Sequence, residues 1–150
     1  MPILKRANSE DPDFQQLTAL LDDELCLIYG TNKADFEEYN RIVDLKTVLV
    51  AYNDARPVGC GCFKTLDKST IELKRMFVDP GFRGQGIASA MVGELESWAR
   101  ELGFLEAILE TGNRQQEAIN MYQKLGYALS EKPAQMEASG HSVFMRKRLV

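Results

Sequence analysis

The chain carries one histidine and three cysteines, Cys26, Cys60 and Cys62. These are too few nitrogen and sulfur donors for a zinc set, and no metal site is expected. Three cysteines cannot all pair with one another, and Cys60-Gly61-Cys62 lies in an apolar alternating stretch. The thiols are therefore read as reduced and the protein as cytoplasmic. No apolar run approaches the roughly 18 residues that span a bilayer, and Met1-Pro2-Ile3-Leu4-Lys5 runs into structure rather than into a signal peptide. No membrane association is expected. Basic charge is not in excess either: 18 Lys+Arg stand against 22 Asp+Glu, for a net charge of −4. With a pI of about 5.1, this balance argues against nucleic acid as a partner. Repeats, linkers and low-complexity tails are absent from the sequence. What is there is 150 residues, 45% hydrophobic and 27% charged, a globular composition at the length of one domain, residues 1–150.

Residues 3–7 make a short first strand. Asp11 then offers a side-chain oxygen to orphan amides and Pro12 takes the first helical position, a helix-start signature. Phe14, Leu17, Leu21, Leu25 and Ile28 recur at steps of three and four, so one stripe of this helix faces a core, and Gly30 ends it. A shorter helix is expected over residues 34–42. Three extended segments follow at 47–52, 57–65 and 70–78, separated by turn residues at 53–56 and 67–69; connections this short impose antiparallel pairing. A Gly-rich loop at 79–86 precedes a long amphipathic helix marked by Ile87, Met91, Leu95, Trp98 and Leu102 and closed by Gly103. Residues 104–110 read as a strand, 115–125 as a helix closed by Gly126, and 142–149 as a last strand. The fold class is mixed α/β, an antiparallel meander feeding at least one parallel βα crossover.

The informative segment is Val78-Asp79-Pro80-Gly81-Phe82-Arg83-Gly84-Gln85-Gly86-Ile87-Ala88. It leaves a strand and opens a helix. Gly84 and Gly86 let the backbone turn without a Cβ in the way. The free amides of the first helical turn then point at whatever sits above them, where the helix dipole favours negative charge. Arg83 adds a cation at the mouth. This is a construction for a phosphate, most simply a pyrophosphate; the bland alternative is a turn that needed glycine. No Lys-Ser/Thr follows Gly86, so it is not a Walker loop, nor is it the Gly-x-Gly-x-x-Gly fingerprint of dinucleotide folds.

Three stretches, Glu72-Leu73-Lys74-Arg75-Met76-Phe77-Val78-Asp79-Pro80, Arg83-Gly84-Gln85-Gly86-Ile87-Ala88 and Glu117-Ala118-Ile119-Asn120-Met121-Tyr122-Gln123-Lys124-Leu125-Gly126-Tyr127, together resemble the GNAT superfamily of acyl-CoA-dependent N-acetyltransferases. The resemblance implies the GNAT-type acyl-CoA N-acyltransferase fold over essentially the whole chain. It also implies acetyl-CoA as co-substrate and a primary amine as acceptor, on a small molecule or on a protein lysine or N-terminus. Acetyl would pass directly, with no covalent enzyme intermediate. Arg83 and the amides of Gly84, Gln85, Gly86, Ile87, Ala88 and Ser89 would hold the pyrophosphate. Backbone groups of Met76, Phe77 and Val78 would bond the pantetheine arm and polarise the thioester carbonyl, where a fixed donor is worth far more than in water. Many family members place an asparagine three residues before the helix alanine; here that position is Gln115, and Asn113 is the candidate substitute. A homodimer is compatible with the family.

The acceptor poses a separate problem. A lysine-like amine with pKa near 10.4 costs about 4.6 kcal/mol to deprotonate at pH 7, so a base or burial must assist. The resemblance makes Glu72 the candidate base, acting through water; the alternatives are a solvated strand carboxylate or an ion-pair partner of Lys74 or Arg75. Tyr122 is the candidate acid for the departing thiolate, although it also belongs to a core-type stripe with Ala118, Ile119 and Leu125. Met91 and Trp98 read as core. Cys60 and Cys62 read as small buried hydrophobes, and His141 as a surface side chain or a lining of the acceptor pocket. Arg75 either faces away from Glu72 or sits at a bulge. The acceptor pocket is expected from residues 29–43 and 131–141, the parts without a motif. Two other functions stay open: a non-catalytic acyl-CoA-binding regulatory module of the same fold, which needs neither Glu72 nor Tyr122, and a phosphate- or nucleotide-binding domain unrelated to CoA.

Overall fold

Asp11 opens the first helix as its chemistry requires. In the computed structural model, which describes residues 2–32, 44–136 and 140–150, its Oδ1 accepts the amides of Asp13 (2.9 Å) and Phe14 (3.1 Å). Pro12 takes the first position, where its missing N–H costs nothing. This helix, α1 (Pro12–Tyr29), stops at Gly30, whose φ of +65° suits glycine. The helix expected over residues 34–42 lies outside the described residues.

The remaining elements are β1 (Ile3–Ala7), β2 (Val48–Asn53), β3 (Arg56–Thr65), β4 (Thr70–Val78), a 3-10 turn at Pro80–Phe82, α2 (Ile87–Glu101), β5 (Glu106–Gly112), α3 (Gln116–Lys124), β6 (Ala128–Ser130) and β7 (Ser142–Arg148). The strands form one seven-stranded sheet in the order β1-β2-β3-β4-β5-β7-β6. β1 and β2, β2 and β3, β5 and β7, and β6 and β7 pair antiparallel, whereas β4 and β5 pair parallel. The mixed α/β class and the βα crossover are therefore as expected. β6 was not expected; three residues, Ala-Leu-Ser, are too few to carry a period.

The chain divides into two compact units, one taking in residues up to Phe63 together with Lys74–Leu95, the other Lys64–Leu73 together with Glu96–Val150. In the first, Phe14, Leu17 and Leu21 from α1 pack with Val48, Val50, Cys60, Cys62 and Phe77 of the strands. Each such side chain contributes on the order of 1.5–3 kcal/mol on leaving water. In the second, Ile108, Met136 and Phe144 form a smaller cluster with Leu66 against it. The apolar stripe of α2 departs from expectation at its end. Ile87, Met91, Val92, Leu95 and Ala99 are buried, but Leu102 is 55% exposed and Trp98 only half-buried. The helix has already ended at Glu101, and Gly103, with φ +91°, carries the chain away. Among the described residues no helix is long and apolar enough to cross a membrane.

Candidate functional site

The loop between β4 and α2 belongs to the first unit. Asp79 starts it: its N–H donates to the Val58 carbonyl (2.8 Å) and its Oδ1 accepts the Gly81 amide (2.9 Å). Pro80–Phe82 makes the 3-10 turn and Arg83 returns to extended backbone. Gly84 and Gly86 then adopt φ of +79° and +82°, a region where a Cβ crowds the following carbonyl. A Cβ at either would meet no heavy atom within 4 Å, so backbone conformation, not crowding, calls for glycine. The Gly86 carbonyl accepts the first intrahelical bond, from the Ala90 amide at 3.0 Å. The amides of Ile87, Ala88 and Ser89 thus precede the helical ladder, and Gly86 has no side-chain oxygen with which to cap them. Together with the dipole of a 15-residue helix, they present N–H groups and partial positive charge of the kind that favours an anion.

Arg83 is anchored beside this loop. Its Nε donates to the Val78 carbonyl (2.8 Å), its Nη2 pairs with Glu24 Oε2 of α1 (2.5 Å), and its guanidinium carbon lies 5.6 Å from the Phe77 ring centroid. The Nε bond holds the head beside the end of β4. Guanidinium has five donors, so an anion could share it or compete with Glu24. A second arginine, expected only as a turn residue, reaches the same loop: Arg56 Nη2 lies 3.4 Å from Asp79 Oδ2, with its guanidinium over Phe82.

Arg75 resolves the ambiguity in β4. It has φ +58° in the middle of a strand, which breaks the pleat as a bulge does. Its side chain is buried, with Nη2 donating to the Thr18 carbonyl (2.9 Å) and to Asp22 Oδ1 (2.7 Å). The carbonyls of Lys74 and Arg75 accept from the thiols of Cys62 (3.3 Å) and Cys60 (3.5 Å). Burial, then the neighbouring Cys62, pushes the Cys60 thiol far up from its usual range, so it stays protonated and is a poor nucleophile. Past Arg75, Met76, Phe77 and Val78 run to the loop. They lie against two glycines of β3 that the sequence reading did not single out. A Cβ at Gly61 would overlap Met76 Sδ, and one at Gly59 would come within 3.1 Å of the Phe77 carbonyl oxygen.

Glu72, Asn113 and Tyr122 belong to the second unit. Glu72 is 3% exposed, stands opposite Ile108 in the β4–β5 ladder, and has Lys64 Nζ at 3.8 Å. Lys64, across the β3–β4 hairpin, is thus an ion-pair partner of Glu72, and Arg75 pairs with Asp22. Tyr122 is 5% exposed on α3, and burial raises its phenol well above the usual range, so it is a neutral O–H at physiological pH. Asn113 is exposed and its amide donates to the His141 carbonyl (2.7 Å). Gln115 folds back, its Oε1 accepting the Gly112 amide at 2.9 Å. His141 is half-buried rather than on the open surface. Of the expected acceptor pocket, residues 33–43 and 137–139 lie outside the described residues.

Three comparisons bear on this arrangement. The model of the acetyltransferase (GNAT) family matches residues 12–127, and the chain belongs to that family. Among curated relatives, an IAA acetyltransferase of Azospirillum brasilense is 36% identical over 99 residues, which is 61% of this chain and 65% of that protein. The chain therefore spans a little under two thirds of that relative. Among solved structures, a Klebsiella pneumoniae protein assigned as an acyl-CoA N-acyltransferase superposes with a TM-score of 0.83 at 28% identity, covering 100% of this chain and 99% of that one. A GNAT family acetyltransferase from Elizabethkingia anophelis with acetyl-CoA bound has a TM-score of 0.59 at 18% identity, covering 67% and 74%.

Proposed function

We propose that the protein is an N-acetyltransferase that moves acetyl from acetyl-CoA directly to a primary amine, on a small molecule or on a protein lysine or N-terminus. The observation that carries this reading is the entry to α2: two glycines at positive φ and three amides ahead of the helical ladder, with Arg83 anchored beside them. In a member of this family, that end of the helix is the natural seat for the diphosphate of CoA. Amides of Gly84 through Ser89 bind the phosphate oxygens, Arg83 shares its remaining donors, and Asn113 is the candidate contact to the pantetheine. The ladder from β4 to β5 runs over Thr70–Leu73, and Met76, Phe77 and Val78 lie past its last pair, where their backbone groups bond the pantetheine arm. A backbone N–H from this stretch meets the thioester oxygen as it gains charge.

The chemistry is one displacement. Glu72 takes a proton from the acceptor ammonium through water; the neutral amine attacks the thioester carbon and forms the C–N bond; the C–S bond breaks and the thiolate takes the Tyr122 phenol proton. Burial keeps that proton on Tyr122 until it is needed. The second proton leaving the nitrogen restores the Tyr122 phenol, and Glu72 gives its proton back to water. Incubation with acetyl-CoA and a panel of primary amines tests the reading by release of free CoA thiol. Amine-dependent release supports it. Binding of acetyl-CoA without release for any amine makes the protein a non-catalytic acyl-CoA module instead.

A further inference from the structure

Glu96 is a charged residue, 5% exposed, on the packed side of α2, and the chemistry above gives it no part. Both of its carboxylate oxygens are engaged. The Tyr127 hydroxyl donates to Oε2 at 2.9 Å, and Lys147 Nζ lies 3.0 Å from Oε1. The same ammonium sits 5.7 Å from the Tyr127 ring centroid. A carboxylate held this far from water is retained at a cost unless both oxygens are satisfied, and here they are, by residues 31 and 51 positions away.

Tyr127 is in turn tied to Tyr122 twice. Its ring meets the Tyr122 ring edge-on, centroids 5.6 Å apart at 71°. Its N–H donates to the Tyr122 carbonyl (2.9 Å) while the Gly126 N–H donates to the Gln123 carbonyl (3.1 Å). With Gly126 at φ +101°, this is the paired-bond ending of a helix in which the residues at its two outer positions also touch. The Tyr122 ring therefore rests against a wall whose far end is pinned.

We propose that Glu96 and Tyr127 are positioning residues for Tyr122: the carboxylate fixes the Tyr127 phenol, and the Tyr127 ring fixes the plane and reach of the Tyr122 phenol. The inference rests on Tyr122 as the proton donor to the departing thiolate. Packing alone would be served by phenylalanine at 127, so the hydroxyl bonded to a buried carboxylate is the distinguishing feature.

The test is a double-mutant cycle in steady-state kinetics. Tyr127→Phe keeps the ring and removes the pin. It is expected to lower kcat about fivefold to tenfold while KM for acetyl-CoA stays within twofold, and to add nothing further when Tyr122 is already phenylalanine. Should Tyr127→Phe fail to fold, Glu96→Gln enters the same cycle, with Glu96→Ala expected to lose more kcat than the isosteric amide. An impaired Tyr122→Phe beside a Tyr127→Phe of unchanged kcat overturns the positioning role and leaves the proton donor standing. Losses that add independently in the double variant overturn it as well. A Tyr122→Phe with unchanged kcat removes the proton donor itself, and the positioning role with it.

Discussion

Arg75 does two things that a strand residue rarely combines: it takes up a left-handed backbone and it buries a guanidinium. The pair with Asp22 and the bond to the Thr18 carbonyl hold both in place. Asp22→Ala leaves that charge with one neutral acceptor, and a loss of about 3 kcal/mol in urea unfolding is expected, whereas Asp22→Asn keeps an acceptor oxygen and should lose less. At the proposed chemistry, Tyr122→Phe is expected to lower kcat about a hundredfold with little change in KM for acetyl-CoA, measured by thiol release. Glu72→Gln should lower kcat by thiol release with little change in KM for acetyl-CoA, because the group that takes the ammonium proton is gone. The sequence led to Glu72 and Tyr122 through family spacing alone. It could not name their neighbours: Lys64 reaches Glu72 across a hairpin, and counting along one strand does not reveal who stands on the next.

Helix starts and tight turns were the legible elements, because they are written in adjacent residues. Asp11-Pro12 opens α1, the turn at 67–69 closes a hairpin in which the Leu66 amide donates to the Thr70 carbonyl, and Gly84 and Gly86 announce α2. What failed had no local code. β6 is three residues long, and Leu102 continued an apolar count past the point where the helix ended. The loop before α2 makes its own prediction. Since a Cβ at Gly86 meets open space, Gly86→Ala should destabilise by only about 1 kcal/mol, from its positive φ. Acetyl-CoA affinity should fall more steeply than stability, because turning the chain there turns the amides of Ile87 to Ser89. Thermal melts and calorimetric titration of the one variant separate the two effects.

At the scale of the molecule, the two units were not visible in the sequence, because β3, β4 and α2 each pass from one to the other without a break in pattern. Glu96 was missed for a related reason: its partners come from distant segments, and a helix reads an interior glutamate as a surface residue. Burial has a consequence for pH. Tyr122, Tyr127 and Cys60 all hold their protons more tightly in the folded chain, chiefly through loss of water, and in Tyr127 next through the Glu96 charge. Their contribution to stability is complete below the unfolded values, about 8.5 for the thiol and 10 for the phenols. Above these the unfolded chain sheds protons that the folded chain retains, so stability falls with rising pH by up to about 1.4 kcal/mol per pH unit for each group. Denaturant midpoints should therefore decline from near pH 9 upward, and Tyr127→Phe should lessen the decline above pH 10.

Calorimetric titration of the folded protein with CoA and, separately, with pantetheine tests most directly whether the start of α2 grips a diphosphate. Uptake of one CoA per chain, with pantetheine binding far more weakly and Gly86→Ala weakening CoA alone, is the expected result. No heat and no thermal shift with CoA, or equal affinity for pantetheine, would contradict it.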